Sequence, residues 1–293
     1  GKMKEIVISS GKGGTGKTSI TSSFAMLEEN NAVTADCDVD AADMHLLLKP
    51  DFANEKDFYS GEIASIEQDK CIRCGKCKKI CRFDAIRLYN QEYYIDELDC
   101  EGCGYCARIC PTQAIKMNPA LSGKFYTSRT KNNSILVHAE LAIGADNSGK
   151  LVTQVKKTAK TIAQEQNYSY LVVDGTPGIG CPVTASLTGA NYVVIVTEPT
   201  VSGIHDMKRA YELVQTFKIN AGIIINKYDL NPGKSSEIEN YIKENNMDYL
   251  GKFNYNEKFT ESMTQGMTVV EFDEDLHKEM SSLWETIKNI INN

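Results

Sequence analysis

Nine residues constrain this chain more than any others: Gly11-Lys12-Gly13-Gly14-Thr15-Gly16-Lys17-Thr18-Ser19. They follow the apolar run Ile6-Val7-Ile8 and precede a stretch of helical character over residues 16–29. Strand, glycine loop and helix, in that order, form the context a phosphate cradle needs. Glycines at 13, 14 and 16 let the backbone close round a phosphate and turn its N–H groups inward. The helix that comes next adds the positive end of its dipole. The pattern G-x-x-x-x-G-K-[ST] is met in full from Gly11 to Thr18. It places Lys17 to reach β- and γ-phosphates and the Thr18 hydroxyl to ligate Mg²⁺.

At 293 residues, the chain has room for one large α/β domain and a small second unit. Its formal net charge of −7 argues against nucleic acid as a main partner. No apolar run approaches the ~20 residues of a membrane span. Ser9 and Ser10 interrupt the first apolar run, so no signal-peptide core is expected and the cytoplasm is the expected location. Ten cysteines in such a chain do not read as a disulfide framework.

Eight of those cysteines lie between residues 71 and 110. Cys71, Cys74, Cys77 and Cys81 have the spacing C-x2-C-x2-C-x3-C, and Cys100, Cys103, Cys106 and Cys110 repeat it, followed by Pro111. Ala85-Ile86 recurs as Ala114-Ile115 at the same offset. This internal duplication resembles a two-cluster bacterial ferredoxin, in which the fourth cysteine of each run serves the other cluster. The resemblance implies one [4Fe–4S] cluster on Cys71, Cys74, Cys77 and Cys110, and a second on Cys81, Cys100, Cys103 and Cys106. Arg82 stands where such proteins have a proline, and its guanidinium is expected to favour the reduced state of its cluster. The insertion is expected over residues 61–120, between domain segments 1–60 and 121–293.

The remaining chain alternates strands and helices. Residues 5–9, 32–35, 134–138, 170–174, 192–196 and 222–225 read as strands, and 151–166 and 275–291 as helices with one apolar face. The second strand ends in Asp36-Cys37-Asp38-Val39-Asp40-Ala41-Ala42-Asp43, and acids at the carboxyl end of such a strand suggest metal and water handling. Tyr170-Leu171-Val172-Val173-Asp174 is an apolar strand ending in an acid, which suits Asp174 to hold Mg²⁺ or its water. Gly175-Thr176-Pro177-Gly178 comes directly after it. His138, Cys37 and Cys181 read as structural residues. The terminal helix lacks a basic face, so it is expected to lie on the domain and not to anchor a membrane.

Lys12, just after the first glycine, makes the loop resemble the deviant Walker A motif of ATPases that include MinD, ParA, Mrp and the nitrogenase iron protein. The resemblance implies a doubly wound, mostly parallel P-loop fold, here with an inserted α+β ferredoxin-like domain. It implies that Gly11 to Ser19 bind ATP and that Lys12 reaches the nucleotide of a dimer partner. Lys12, Lys17 and Asp38 are the catalytic residues so implied, with Asp38 orienting the attacking water. Thr18, Asp43 and Asp174 are the implied Mg²⁺ residues. Asn226-Lys227-Tyr228-Asp229 resembles a base-recognition motif, with Asn226 on adenine and Asp229 beside it. The expected cofactors are thus ATP, Mg²⁺ and two [4Fe–4S] clusters. The expected activity is ATP-gated electron transfer by a homodimer, or by a heterodimer with a related ATPase, to a redox protein. A metallocluster carrier and a redox-sensing positioning ATPase are the alternatives.

Overall fold

The computed structural model describes residues 2–145 and 148–293. The chain divides into two compact units, Gly1–Lys56 with Lys124–Leu141 and Ser148–Asn293, and Asp57–Gly123 with Ala142–Asn147. In chain order the strands are β1 (Lys4–Ser9), β2 (Ala32–Asp36), β3 (Asn54–Ile66), β4 (Ile86–Tyr89), β5 (Glu92–Ile95), β6 (Ile115–Arg129), β7 (Ile135–Leu141), β8 (Tyr170–Asp174), β9 (Tyr192–Thr197), β10 (Asn220–Ile225) and β11 (Asp248–Lys252). The helices are α1 (Lys17–Leu27), α2 (Met44–Leu48), α3 (Lys76–Ile80), α4 (Tyr105–Ile109), α5 (Ser148–Glu165), α6 (Cys181–Leu187), α7 (Val201–Thr216), α8 (Pro232–Glu244), α9 (Lys258–Thr264), α10 (Val269–Phe272) and α11 (Glu274–Asn292).

In the first unit the sheet runs β11-β10-β9-β1-β8-β2-β7. From β11 to β7 every neighbouring pair is parallel. Strands buried on both faces need continuous apolar runs. Ile6-Val7-Ile8, Leu171-Val172-Val173 and Val193 to Val196 supply them and are fully buried. Register does the rest: Ile8 and Asp36 both pair with Asp174. The carboxyl ends of β1, β2 and β8 are therefore level, and the segments leaving these three strands meet at one edge of the sheet.

The terminal helix α11 lies on α1. Asp273 caps it, accepting from the N–H groups of Asp275 and Leu276 at 3.1 and 3.0 Å. Its buried face is Leu276, Met280, Leu283, Trp284, Ile287 and Ile291. Trp284 stacks on Phe24 at 4.6 Å, and its indole N–H donates to Glu28 at 2.8 Å. Lys288 reaches the same carboxylate at 2.5 Å, so Glu28 is held ionised against its burial.

His138 on β7 is buried beneath Tyr126, stacked at 5.0 Å, and Phe52, edge-on at 4.9 Å. Its Nε2 meets the Ser128 hydroxyl at 2.9 Å. Burial, with help from nearby His45, pushes the imidazole down to about 4.

The second unit repeats itself. Helices α3 and α4 each start after a left-handed glycine, Gly75 (φ 71°) and Gly104 (φ 69°), and each runs into an extended cysteine, Cys81 and Cys110. Ala85 and Ala114 are buried at equivalent positions, and their carbonyls accept from Asp96 and Glu67 N–H groups at 2.8 and 2.7 Å. The hairpin β4–β5 is antiparallel, pairing Ile86 with Ile95.

Two outcomes are expected. Trp284→Ala should cost about 3–5 kcal/mol, read from the urea midpoint, because it opens a cavity against Phe24 and removes one of the hydrogen bonds to Glu28. The His138 ring should titrate near pH 4 by proton NMR, below its ordinary value. A neutral-only ring binds fewer protons folded than unfolded. Its stabilisation is thus present above about pH 6.5 and lost as pH falls towards 4, and His138→Phe should flatten that slope.

Candidate functional site

The loop between β1 and α1 is fixed by close approaches. A Cβ on Gly11 would overlap the Asp206 backbone at 2.3 Å, and one on Gly16 (φ 92°) would meet the Asn226 amide at 2.5 Å. Over Gly13 and Gly14 an added Cβ would meet no described protein atom within 4 Å. The room on that side belongs to whatever approaches the backbone. Asn226, at the end of β10, donates to the Thr15 carbonyl at 3.0 Å and accepts from Lys227 N–H at 2.9 Å. Its amide thus braces the loop.

The first turn of α1 faces the acids at the edge of the sheet. Lys17 Nζ lies 2.8 Å from Asp174 Oδ1 and 3.7 Å from Asp38 Oδ2. Thr18 donates to Asp174 Oδ2 at 2.8 Å, and the Thr21 hydroxyl lies 2.8 Å from Oδ1. Lys17, Asp36, Asp38 and Asp174 are all buried. Burial lowers the Lys17 pKa, but Asp174 and Asp38 raise it further, and the ammonium is held charged. Burial pushes Asp38 up to about 6, with Asp174, Asp40 and Asp43 adding to it against Lys17. Asp36 is raised well above the carboxylate range by burial and by Asp174. Its Oδ2 and the Thr15 hydroxyl are buried with no hydrogen-bond partner among the described residues. Three carboxylates round one ammonium, with orphaned oxygens, leave this edge short of positive charge.

Lys12 is engaged within its own chain. Its ammonium lies 2.7 Å from Glu198 Oε1 and 3.2 Å from the Ser202 hydroxyl, while Lys227 holds the other Glu198 oxygen at 3.2 Å. Burial raises the Glu198 pKa, but the two lysines outweigh it and keep the carboxylate ionised. The segments after β2 and β8 are also joined. Thr176 donates to the Cys37 carbonyl at 2.7 Å, and Cys37 N–H to the Asp174 carbonyl at 2.9 Å.

Not every residue singled out by sequence joins this group. Asp43 is exposed at the start of α2 and makes no capping hydrogen bond. Asp229 accepts from Tyr255 N–H at 2.6 Å, which ties two loops together. Cys37 is buried, and burial drives its thiol far up; Cys181 is exposed at the start of α6. Conversely, Asp36, Thr21 and Glu198 were not assigned roles by motif. Their only sequence signal is position, at or just past a strand end or one turn beyond the lysine.

The second unit gathers its cysteines in two small cavities. Cys71, Cys74, Cys77 and Cys110 line one, together with Ile66, Ile72, Tyr93 and Ile115. Cys81, Cys100, Cys103 and Cys106 line the other, with Ala64, Phe83, Ile86 and Ile95. All eight are free thiols. Each cavity thus takes three cysteines from one run and the fourth from the other. Among the described residues, no three His, Cys, Asp or Glu side chains could hold a metal ion. Cys110 Sγ accepts from Ala114 N–H at 3.3 Å. Burial raises that thiol, and the N–H and Thr112 hydrogen bonds more than offset it.

This geometry has relatives. Two uncharacterized proteins of Methanocaldococcus jannaschii are similar, one 37% identical over 79% of this chain and 80% of its own, the other 26% identical over 78% and 82%. In fold, the chain is similar to the cell division ATPase MinD of Pyrococcus furiosus, with a TM-score of 0.59 at 15% identity over 99% of this chain and 100% of that one. It is likewise similar to the septum site-determining protein MinD of Pyrococcus horikoshii, solved with Mg-ADP, with a TM-score of 0.59 at 16% identity over 99% and 96%. The family model for the CobQ/CobB/MinD/ParA nucleotide binding domain matches residues 6–269. With that match laid over the Gly11–Thr18 loop and its acidic edge, the chain belongs to the CobQ/CobB/MinD/ParA nucleotide-binding family.

Proposed function

We propose that this chain is an ATPase that uses ATP binding and hydrolysis to gate electron transfer through two [4Fe–4S] clusters. The observation that carries the reading is the pair of cavities, each lined by four free cysteines drawn crosswise from two runs. A cubane asks for no single point of convergence, because its four thiolates bind four different irons. The unit also needs a staple. Its buried apolar side chains are Ala64, Ala85, Ile86, Ala114 and Ile115. That is too thin a core for roughly seventy residues without disulfides or metal.

When bound, the clusters would store single electrons, and MgATP would supply the free energy of phosphoryl transfer. The chain's own residues do the rest. The backbone from Gly11 to Thr18 cradles the phosphates, and Lys17 neutralises them. Thr18 and Asp174, already 2.8 Å apart, are placed to share Mg²⁺. Asp38, beside Lys17, holds the attacking water and accepts its proton. Lys12 exchanges Glu198 for the nucleotide of a second copy or a related ATPase. Relaxation of the joined segments after β2 and β8 is the conformational output, and the cysteine-bearing insertion comes after the first of them in the chain.

Asp38→Asn and Lys12→Ala should each lower ATP turnover by about a hundredfold or more while ATP still binds. In the wild type, kcat/KM for hydrolysis should fall as pH drops through about 6, where free Asp38 protonates. A flat profile from pH 5 to 8 would remove Asp38 from the role.

Anaerobically purified protein should carry about eight irons, and Cys110→Ser should lose one cluster's EPR signal while keeping the other's. MgATP should shift a midpoint potential. Potentials and signals indifferent to MgATP would end the gating reading, and absence of iron would end the cluster reading.

A further inference from the structure

The second unit carries a groove of about 210 Å³. Its exposed large apolar side chains are Leu98, Leu121 and Ile143, 72%, 46% and 94% exposed. Contiguous exposed apolar surface of this kind marks an interaction site. The groove is built, not frayed: Leu98 lies against the Gly144 backbone, the Ala142 N–H donates to the Ser122 carbonyl at 3.0 Å, and the Ser122 hydroxyl donates to the Ser60 carbonyl at 2.8 Å.

Its charge is of one sign. Glu62, Glu97 and Glu101 line it, all are exposed, and none makes an ion pair among the described residues. Among the described residues, no lysine, arginine or histidine lines it. One further lining residue is Cys100, which also lines the cavity of Cys81, Cys103 and Cys106. A protein seated here would therefore rest beside a residue of the second cysteine set. Electron exchange between proteins falls steeply with distance, and such encounters use small interfaces steered by opposite charge.

Building on the cluster reading, we infer that this groove docks a one-electron carrier protein whose contact face is an apolar tip ringed by lysine and arginine. One electron crosses per encounter, so the set of Cys81, Cys100, Cys103 and Cys106 changes by one charge and the carrier's cofactor by the opposite one. A second copy of this chain is a poor occupant, since each copy brings a net charge of −7.

Horse cytochrome c, a basic one-electron carrier, serves as the probe in calorimetric titration against the iron-loaded protein at low ionic strength. The triple variant Glu62→Lys, Glu97→Lys, Glu101→Lys should weaken binding at least tenfold, with iron content within error of wild type. The variant Glu29→Lys, Glu165→Lys, Glu244→Lys makes the same change of net charge at exposed sites on the other unit and should cost less than twofold beyond its effect on net charge, measured at matched ionic strength. Leu98→Ser with Ile143→Ser should weaken binding threefold or more even at high salt, and stopped-flow reduction of the cytochrome should slow in step. Equal losses in the two charge variants, or no loss in either, would overturn the groove while leaving the clusters intact. So would a groove variant that dissociates a self-associated wild type, since that would seat a second copy there. Protein without iron would overturn the underlying reading and the inference together.

Discussion

Asp36, Asp38 and Asp174 share the carboxyl edge of the sheet with one ammonium, Lys17, and all four are buried. Desolvating a charge costs several kcal/mol unless a partner offsets it. One lysine offsets one carboxylate, and Asp174 has it at 2.8 Å. The other two respond as burial and like charge require, Asp38 by moving up to about 6 and Asp36 by moving further. Positive charge is thus scarce at this edge, and an added cation would favour the ionised form of all three acids. The register that levels β1, β2 and β8 creates this crowding.

The same crowding explains why the loops answer to one another. Asp36 and Asp38 flank Cys37, whose N–H and carbonyl are held by the Asp174 carbonyl and the Thr176 hydroxyl. Gly175 and Gly178 N–H groups in turn donate to Ile8 and Ser10 carbonyls at 2.8 and 3.0 Å. Any change in how the three acids are neutralised acts on a backbone that three strand ends share. Glu198 adds a second balance point, since one carboxylate holds both Lys12 and Lys227.

Much of this was legible in the sequence because apolar runs and glycine spacing are local. The phosphate loop, the strand that ends at Asp174 and the terminal helix lie where periodicity places them. The parts that were not legible depend on contacts between distant segments. Asn226 is read from sequence as a base contact, and no spacing announces that its amide also braces Thr15, 211 residues away in sequence. Asp229 belongs to a motif, yet it holds Tyr255. The strand β11 was missed because Asp248–Lys252 is short and mixed in burial, with a register shift against β10. Nor does any spacing announce that Ala142–Asn147 joins the unit of the cysteines.

The duplicated unit shows how closely two halves of a chain can repeat one backbone. Arg73 and Gly102 adopt φ of 59° and 63°, Asp84 and Gln113 φ of 50° and 52°, each pair at the same offset as the cysteines. For a non-glycine residue the left-handed region costs roughly 1 kcal/mol each. Arg73, Asp84 and Gln113 bear that cost in a unit where α3 and α4 bury no side chain. Apolar contact is too sparse there to hold three such residues against their preference. The feature common to both halves is the cysteine set each conformation presents to a cavity. Both halves thus present their cysteines through the same backbone, with the buried Ala85 and Ala114 marking where backbone, not side chain, closes the turn.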